Sequence, residues 1–300
     1  MKQISAKRLS GDAKLAYALL TPAAVFIAVF MIYPIIYVVM MSLYKTNKLG
    51  ILQEFIWFKN FVRLMKQQVF WEVTGRSLLW TIIGVLSKTV VGMIIALCLN
   101  VEFRGRKFAR MLFIIPWASS VPISAMLWKW VLDHEFGLLN HTLTYLGITQ
   151  NPPVWLGTPI WSFVSVMWVD IWIGIPFMAL VFLAGMQSVP KDLYESAEVD
   201  GVNSVGKFFY ITLPSIKQII FIATLLSSLW TFNDFNTIYI LTRGGPAGAT
   251  DILITAIYKN GFEWLHFSDA AVMAVVTFII LMVLSIVYAR VYFKGGDDSL

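Results

Sequence analysis

The chain has 300 residues, 58% of them hydrophobic and 13% charged, with a mean hydropathy of +0.74. An ordinary soluble domain does not carry that balance, so the bilayer is the expected solvent, and the net charge of +6 reads as basic flanks of membrane spans rather than a nucleic-acid surface. The single cysteine, Cys98, excludes an intrachain disulfide framework and a multi-cysteine metal site.

Residues 1–14 hold Lys2, Lys7, Arg8 and Lys14 and read as a cytosolic tail. The next 30 residues, Leu15 to Tyr44, carry no charge. A signal-peptide core is only about 7–15 residues long, so this is an uncleaved first span. Apolar runs of spanning length occur at 16–43, 78–99, 109–130, 160–184, 214–236 and 270–291. Together they predict an all-α integral membrane bundle of six transmembrane helices occupying residues 15–300; no alternation of barrel type appears.

A cytoplasmic N-terminus puts thirteen Lys and Arg residues inside and nine outside, which predicts a multi-pass protein of the cytoplasmic membrane with both termini cytosolic. Six of the nine (Lys45, Lys48, Lys59, Arg63, Lys66 and Arg76) share one outer loop. There Phe58, Phe61, Val62, Met65 and Val69 have helical spacing, which predicts an amphipathic helix on the outer surface.

Lys88 and Asp170 fall in the middle of the second and fourth runs. Each costs about 2.5–3.5 kcal/mol at a helix centre, while the twelve Leu, Ile and Val residues of 78–99 return roughly 4–7 kcal/mol. Both insert, and both are candidates for a wet cavity. Snorkelling for Lys88, a helix–helix hydrogen bond for Asp170 and a pair between them stay open.

The segment from Gln187 to Leu213 contains "DGVNSVGKFFYITLP", whose Gly201, Gly206 and Lys207 fit the opening of a phosphate-binding loop. That motif next needs Ser or Thr to hold magnesium, and needs a strand upstream; Phe208 and "DLYESAEV" supply neither. Instead, Ser188 is expected to cap a helix with Pro190 and Asp192 in its first turn, Gly201 to end it, and Asn203 or Ser204 to cap a second short helix leading to Pro214. Such an elbow serves either as a docking element or as a solvated connection.

The fifth run carries Trp230, Phe232, Asn233, Asp234 and Asn236. Planar hydrogen-bonding groups beside aromatic faces suit a sugar, and the alternative is bonding between helices. The remaining Trp and Phe residues read as an interfacial belt. "TRGGPAGAT" reads as an external turn. His134, His141 and His266 lack metalloprotease spacing and no Ser-centred G-x-S-x-G occurs, so enzymatic chemistry has no footing.

Glu195-Ser196-Ala197, Gly201 and Ile211-Thr212-Leu213-Pro214 resemble the EAA loop of binding-protein-dependent ABC importers, with Ser196 the one departure. "LLTPAAVFIAVFMIYPIIYVVMMSLY", "FGLLN", "VWLGTPIW", "LAGMQSVPKDLYESAEVDG" and "WTFNDFNTIYILTRGGP" are similar to segments of the maltose-type permease that occupies the first of two transmembrane positions in carbohydrate importers. The resemblance implies a transport subunit that pairs with a second, homologous permease on two cytosolic ATPase subunits, fed by an external solute-binding protein. ATP and magnesium would be bound by the ATPase, leaving no cofactor in this chain. It further implies a coupling loop at 187–214 that uses Glu195, Ser196, Ala197, Asp200, Gly201, Leu213 and Pro214, and a sugar site at Asn233 and its neighbours. With Trp230, Phe232, Asp234, Asn236, Asp170 and Lys88, these are the expected substrate-binding residues. The alternatives are an ATP-independent secondary transporter, or import of an anionic sugar-like solute such as a glycerol phosphate or a sulfonated or acidic sugar, toward which Lys88 points.

Overall fold

The computed structural model describes residues 11–297, so most of the expected tail, with Lys2, Lys7 and Arg8, lies outside the described residues. Helix α1 (Gly11–Ile27) passes through a π-helical turn at Ala28–Ile32 into α2 (Tyr33–Leu43). Pro34 accounts for the turn: it has no N–H and its ring presses on the preceding turn, so the helix takes up an extra residue before resuming. This first span, Ala13–Leu43, is almost wholly unburied and leans on the last helix through α2.

Strands β1 (Tyr44–Thr46) and β2 (Leu52–Phe55) then form an antiparallel ribbon, too short to stand out in the sequence. Its turn is set by Asn47, whose side-chain oxygen accepts from Leu49 N and Ile51 N, each at 2.9 Å. Helix α3 (Lys59–Met65) is the expected amphipathic element, cut short: Phe58, Val62 and Met65 are exposed, Leu64 is buried, and Val69 belongs to the next helix.

Two long helices form the centre, α4 (Gln68–Asn100) and α8 (Pro159–Gln187). α4 starts well before the apolar run because its polar first turns are held by Gln68 Nε2 donating to Glu72 Oε1 at 2.7 Å. Small residues let the two helices approach. A Cβ at Gly92 would lie 2.7 Å from Met178 Cβ, and one at Gly174 would lie 2.7 Å from Lys88 Cδ.

The third apolar run is not one straight helix: α5 (Arg106–Ala118) and α6 (Val121–Val131) meet at 95°. Ser119 and Ser120 between them are extended, with ψ of 150° and 142°. The break falls between Pro116 and Pro122 and is capped by Ser119 Oγ, which contacts Pro116 O at 2.9 Å and Ser124 Oγ at 2.6 Å. Short α7 (Leu138–Tyr145) follows, held by Trp155 Nε1 donating to Asn140 Oδ1 at 2.6 Å.

After α8 come α9 (Lys191–Val199), α10 (Ser204–Lys207), a π-helical turn at Phe208–Thr212, α11 (Leu213–Ser215), α12 (Lys217–Phe232) and α13 (Phe235–Thr242). The segment ending in α11 meets the one beginning with α12 at 70°. α14 (Leu253–Tyr258) and α15 (Phe267–Asp297) are the last helices of the described residues. Among the described residues four helices are long and apolar enough to span, and the number is six when each of the two bent pairs is one span.

Residues 243–251 are non-helical, as expected, with positive φ at Arg243, Gly244, Ala247 and Gly248 and a cis Gly245–Pro246 bond. Arg76 fastens this turn to α4 by donating to Gly248 O at 2.7 Å and Asp251 O at 2.8 Å. The core falls into patches around Trp80 and Val166, around Phe182 and Ile216, and around Phe70 and Phe232.

Candidate substrate cavity and coupling elbow

The fifth span is broken inside the bundle. α12 ends at Phe232 with Asn233 at φ −99°, ψ 17°, and Asp234 at ψ 86° opens α13. A break at this depth frees backbone groups that lipid cannot satisfy, so neighbouring side chains must. Trp80 Nε1 donates to Thr231 O at 3.1 Å, Asn233 Nδ2 donates to Leu229 O at 2.9 Å, and Asp234 Oδ1 accepts from Thr237 N at 3.1 Å. Asp234 is thus the N-cap of α13. Its other oxygen, Oδ2, is buried without a partner among the described residues.

A cavity of about 460 Å³ opens against this break. Lys88 and Asp170, candidates from different spans, meet there at 2.7 Å, and both side chains are buried. Lys88 Nζ donates to Asp170 Oδ1 at 2.8 Å and to Thr231 Oγ1 at 2.9 Å, so three spans are joined by one ammonium. Lys88 therefore does not snorkel. Aligned with it, Gly84 leaves the space that a Cβ would take 3.1 Å from Asp170 Oδ2.

Six of the seven expected substrate residues line the cavity: Lys88, Asp170, Trp230, Asn233, Asp234 and Asn236. Phe232 does not. It is buried in the patch with Leu64, Phe70 and Val272, because a step of two residues along a helix turns the side chain to nearly the opposite face from Trp230.

Sequence reading missed Trp117, Phe177, Ser227, Thr231 and Thr237, which also line the cavity. Phe177 packs edge-on against Trp230 with centroids 4.9 Å apart and lies 6.3 Å from Trp117, making an aromatic wall. Trp117 and Phe177 are therefore not part of an interfacial belt, and Trp80 is fully buried. Ser227 and Thr231 were legible at helical spacing from Asp234, as was Phe177, seven residues from Asp170. Trp117 had no such signal, since it reaches the cavity through the bend after α5.

At the other end of α8 lies the elbow. Ser188 does not cap α9: its hydroxyl turns back to Gly185 O at 2.7 Å, and Pro190 precedes the helix. A hydroxyl at the end of a long helix finds the carbonyls of its own last turn within reach, and Gly185 O accepts the Ser188 N–H as well. Asp192 does sit in the first turn of α9. Gly201, at φ +74°, ends the turn, with its N–H on Glu198 O at 3.1 Å and Val202 N–H on Ala197 O at 2.9 Å. Asn203 caps α10 through Gly206 N at 2.8 Å.

Tyr194 OH contacts Thr212 Oγ1 at 2.9 Å, closing α9 onto the π-helical turn. Lys207, the lysine of the phosphate-loop look-alike, binds Glu198 Oε2 at 2.9 Å, and this bond holds the Glu198 carboxyl below its ordinary pKa. Glu195, Ser196, Asp200, Gly201 and Pro214 are exposed, while Ala197 and Leu213 are half-buried. Beside them Leu193, Val199, Val205, Phe209 and Tyr210 are exposed apolar side chains. No cluster of His, Cys, Asp and Glu suited to a metal occurs among the described residues.

Residues 88–293 match the family described as binding-protein-dependent transport system inner membrane component. The chain is 34% identical over 283 residues to the trehalose/maltose transport system permease protein MalF of Thermococcus litoralis, covering 93% of this chain and 94% of that one. It is 34% identical over 284 residues to the sulfoquinovosyl glycerol transport system permease protein SmoG of Agrobacterium fabrum, covering 94% and 91%. A crystal structure of a bacterial alginate ABC transporter in complex with alginate pentasaccharide-bound periplasmic protein matches with TM-score 0.81 and 25% identity, over 94% of this chain and 96% of that chain.

Proposed function

The chain belongs to the binding-protein-dependent transport system inner membrane components, the permease subunits of ABC importers, and from that premise we propose that it passes a sugar or oligosaccharide through the cavity at the broken fifth span. Membership in that family replaces the ATP-independent alternative. The observation that carries the substrate reading is the lining itself: the aromatic wall of Trp117, Phe177 and Trp230 lines the same cavity as Asn233, Asp234 and Asn236. A pyranose presents an apolar C–H face to the first set and hydroxyl pairs to the second. At about 460 Å³ the cavity is within the usual range for small-molecule sites. The relatives that act on trehalose, maltose and sulfoquinovosyl glycerol support a carbohydrate.

The coupling loop is 187–214, within the membrane domain 15–300 that follows tail 1–14. In this reading α9 sits in a cleft of a cytosolic ATPase, one of two, which bind ATP and magnesium; a second, homologous permease completes the pathway and an external solute-binding protein delivers the sugar. The exposed apolar set from Leu193 to Tyr210 supplies contact area, Glu195 a polar contact, Ala197 close approach and Gly201 the turn. When ATP closes the ATPase pair, the cleft moves, and a rigid elbow turns that movement into rocking of the spans. Both termini are then cytosolic, in keeping with the basic residues Arg104, Arg106, Lys107, Arg110, Lys191, Lys207 and Lys217 in the elbow and in the turn and helix ends between α4 and α5 and at the start of α12.

The test is ATP hydrolysis by the purified complex of both permeases and the ATPase, scanned with sugars on the binding protein and compared with Glu195→Ala. Sugar-stimulated hydrolysis that the variant loses is the expected result. Hydrolysis indifferent to both sugar and Glu195 would overturn the coupling assignment.

A further inference from the structure

Lys88, the residue that pointed toward an anionic substrate, is already occupied. Its ammonium lies 2.7 Å from Asp170 Oδ2 and donates to Asp170 Oδ1 and Thr231 Oγ1. Two of its three N–H groups are thereby used, and its stem is enclosed against Gly174, where a Cβ would lie 2.7 Å from both Cδ and Cε. The ammonium cannot swing toward a ligand without leaving a buried carboxylate unpaired, a costly state in low dielectric.

Asp234 is in the opposite condition. One oxygen is committed to the Thr237 N–H as helix cap, and the other is buried at the cavity without a donor. Of the ionisable side chains that line the cavity, one is an amine and two are carboxyl groups, so once Lys88 is paired with Asp170 the lining offers no further cation to an entering anion. A carboxylate oxygen only accepts, and so requires a hydroxyl or an ammonium from whatever enters.

We propose that the cavity admits uncharged or amine-bearing sugars and discriminates against anionic ones, with Asp234 as the specificity-determining residue that accepts a hydrogen bond from the substrate. This rests on the reading of the cavity as a sugar passage. A sulfonate or carboxylate on the sugar would face Asp234 with no free cation to offset it, since Asp170 neutralises Lys88. Like-charge juxtaposition in a partly dry site is a strong means of excluding a wrong ligand.

The experiment uses the assembled transporter in nanodiscs without its binding protein, so that only the membrane site selects. Equilibrium binding of three radiolabelled disaccharides is measured: maltose, the chitosan disaccharide with free amines, and digalacturonate. Maltose and the chitosan disaccharide are expected to saturate, with digalacturonate at least about tenfold weaker, the size of one modest electrostatic contact. Asp234→Asn retains a helix cap and removes the charge; it should weaken the chitosan disaccharide about tenfold while narrowing the gap between maltose and digalacturonate. Digalacturonate binding as tightly as maltose to the unaltered complex, or Asp234→Asn leaving all three affinities unchanged, overturns the charge assignment and leaves the sugar passage standing. Saturable binding by none of the three overturns the sugar passage, and the charge assignment with it.

Discussion

Two lysine–carboxylate pairs of nearly equal length sit at opposite ends of the proposed machinery. Lys88 and Asp170 are 2.7 Å apart with side chains 5% and 9% exposed; Lys207 and Glu198 are 2.9 Å apart with side chains 20% and 78% exposed. The bond is the same and the solvent is not. In the bundle, each charge has given up its hydration, so either partner alone is a liability and the pair acts as a rigid strut between α4, α8 and α12. At the elbow, water and salt take the place of a lost partner, so the pair trims a conformation that Gly201 and Asn203 already impose. Charge pairing thus sets structure at the cavity and only refines it at the elbow.

The largest effect should come from breaking the inner pair on one side. Asp170→Asn leaves Lys88 uncompensated and should destabilise the protein by about 3–5 kcal/mol, read as a lowered thermal midpoint of the purified complex. The double replacement Lys88→Met with Asp170→Leu should recover most of that loss; a double variant as unstable as the single one would show that packing, not charge, sets the cost. Next, Gly174→Ala places a methyl group on the Lys88 stem and should cost about 1–3 kcal/mol by overpacking, again in thermal unfolding.

At the elbow, a Cβ at Gly201 meets no neighbouring atom, so Gly201→Val is penalised first by the backbone at φ +74°, roughly 1 kcal/mol or more. Uptake should be abolished while the ATPase still partly copurifies, and normal uptake by this variant would remove the elbow from the coupling path. The smallest effect belongs to Lys207→Met. Glu198 has a depressed pKa in the folded chain, so the clip contributes fully above the ordinary glutamate value and is lost as pH falls through the lower folded value. The variant should return the Glu198 carboxyl titration, followed by carbon NMR, toward the ordinary value. An unchanged titration would mean that Lys207 is not the cause.

Much of this was written along the chain. The six apolar runs reappear as four long helices and two bent pairs, because burying backbone in lipid demands helices of a length that composition alone reveals. The elbow was legible to the level of Gly201 and Asn203, because capping is a local matter of a few residues. Ser188 was misread for a related local reason: two helix ends compete for the same hydroxyl, and it goes to Gly185 O in the last turn of the preceding helix.

What residue order by itself determined, then, is whatever depends on neighbours in sequence: membrane residence, the number of spans, the elbow and its family pattern. Tertiary structure alone decided that Lys88, Asp170 and Thr231 share one strut, that Asp234 keeps a bare oxygen, that Trp117 and Phe177 join Trp230 and that Phe232 turns away. Those facts follow from how far apart the packed helices stand and where they bend, and two residues 143 positions apart in the chain leave no mark on each other's local sequence.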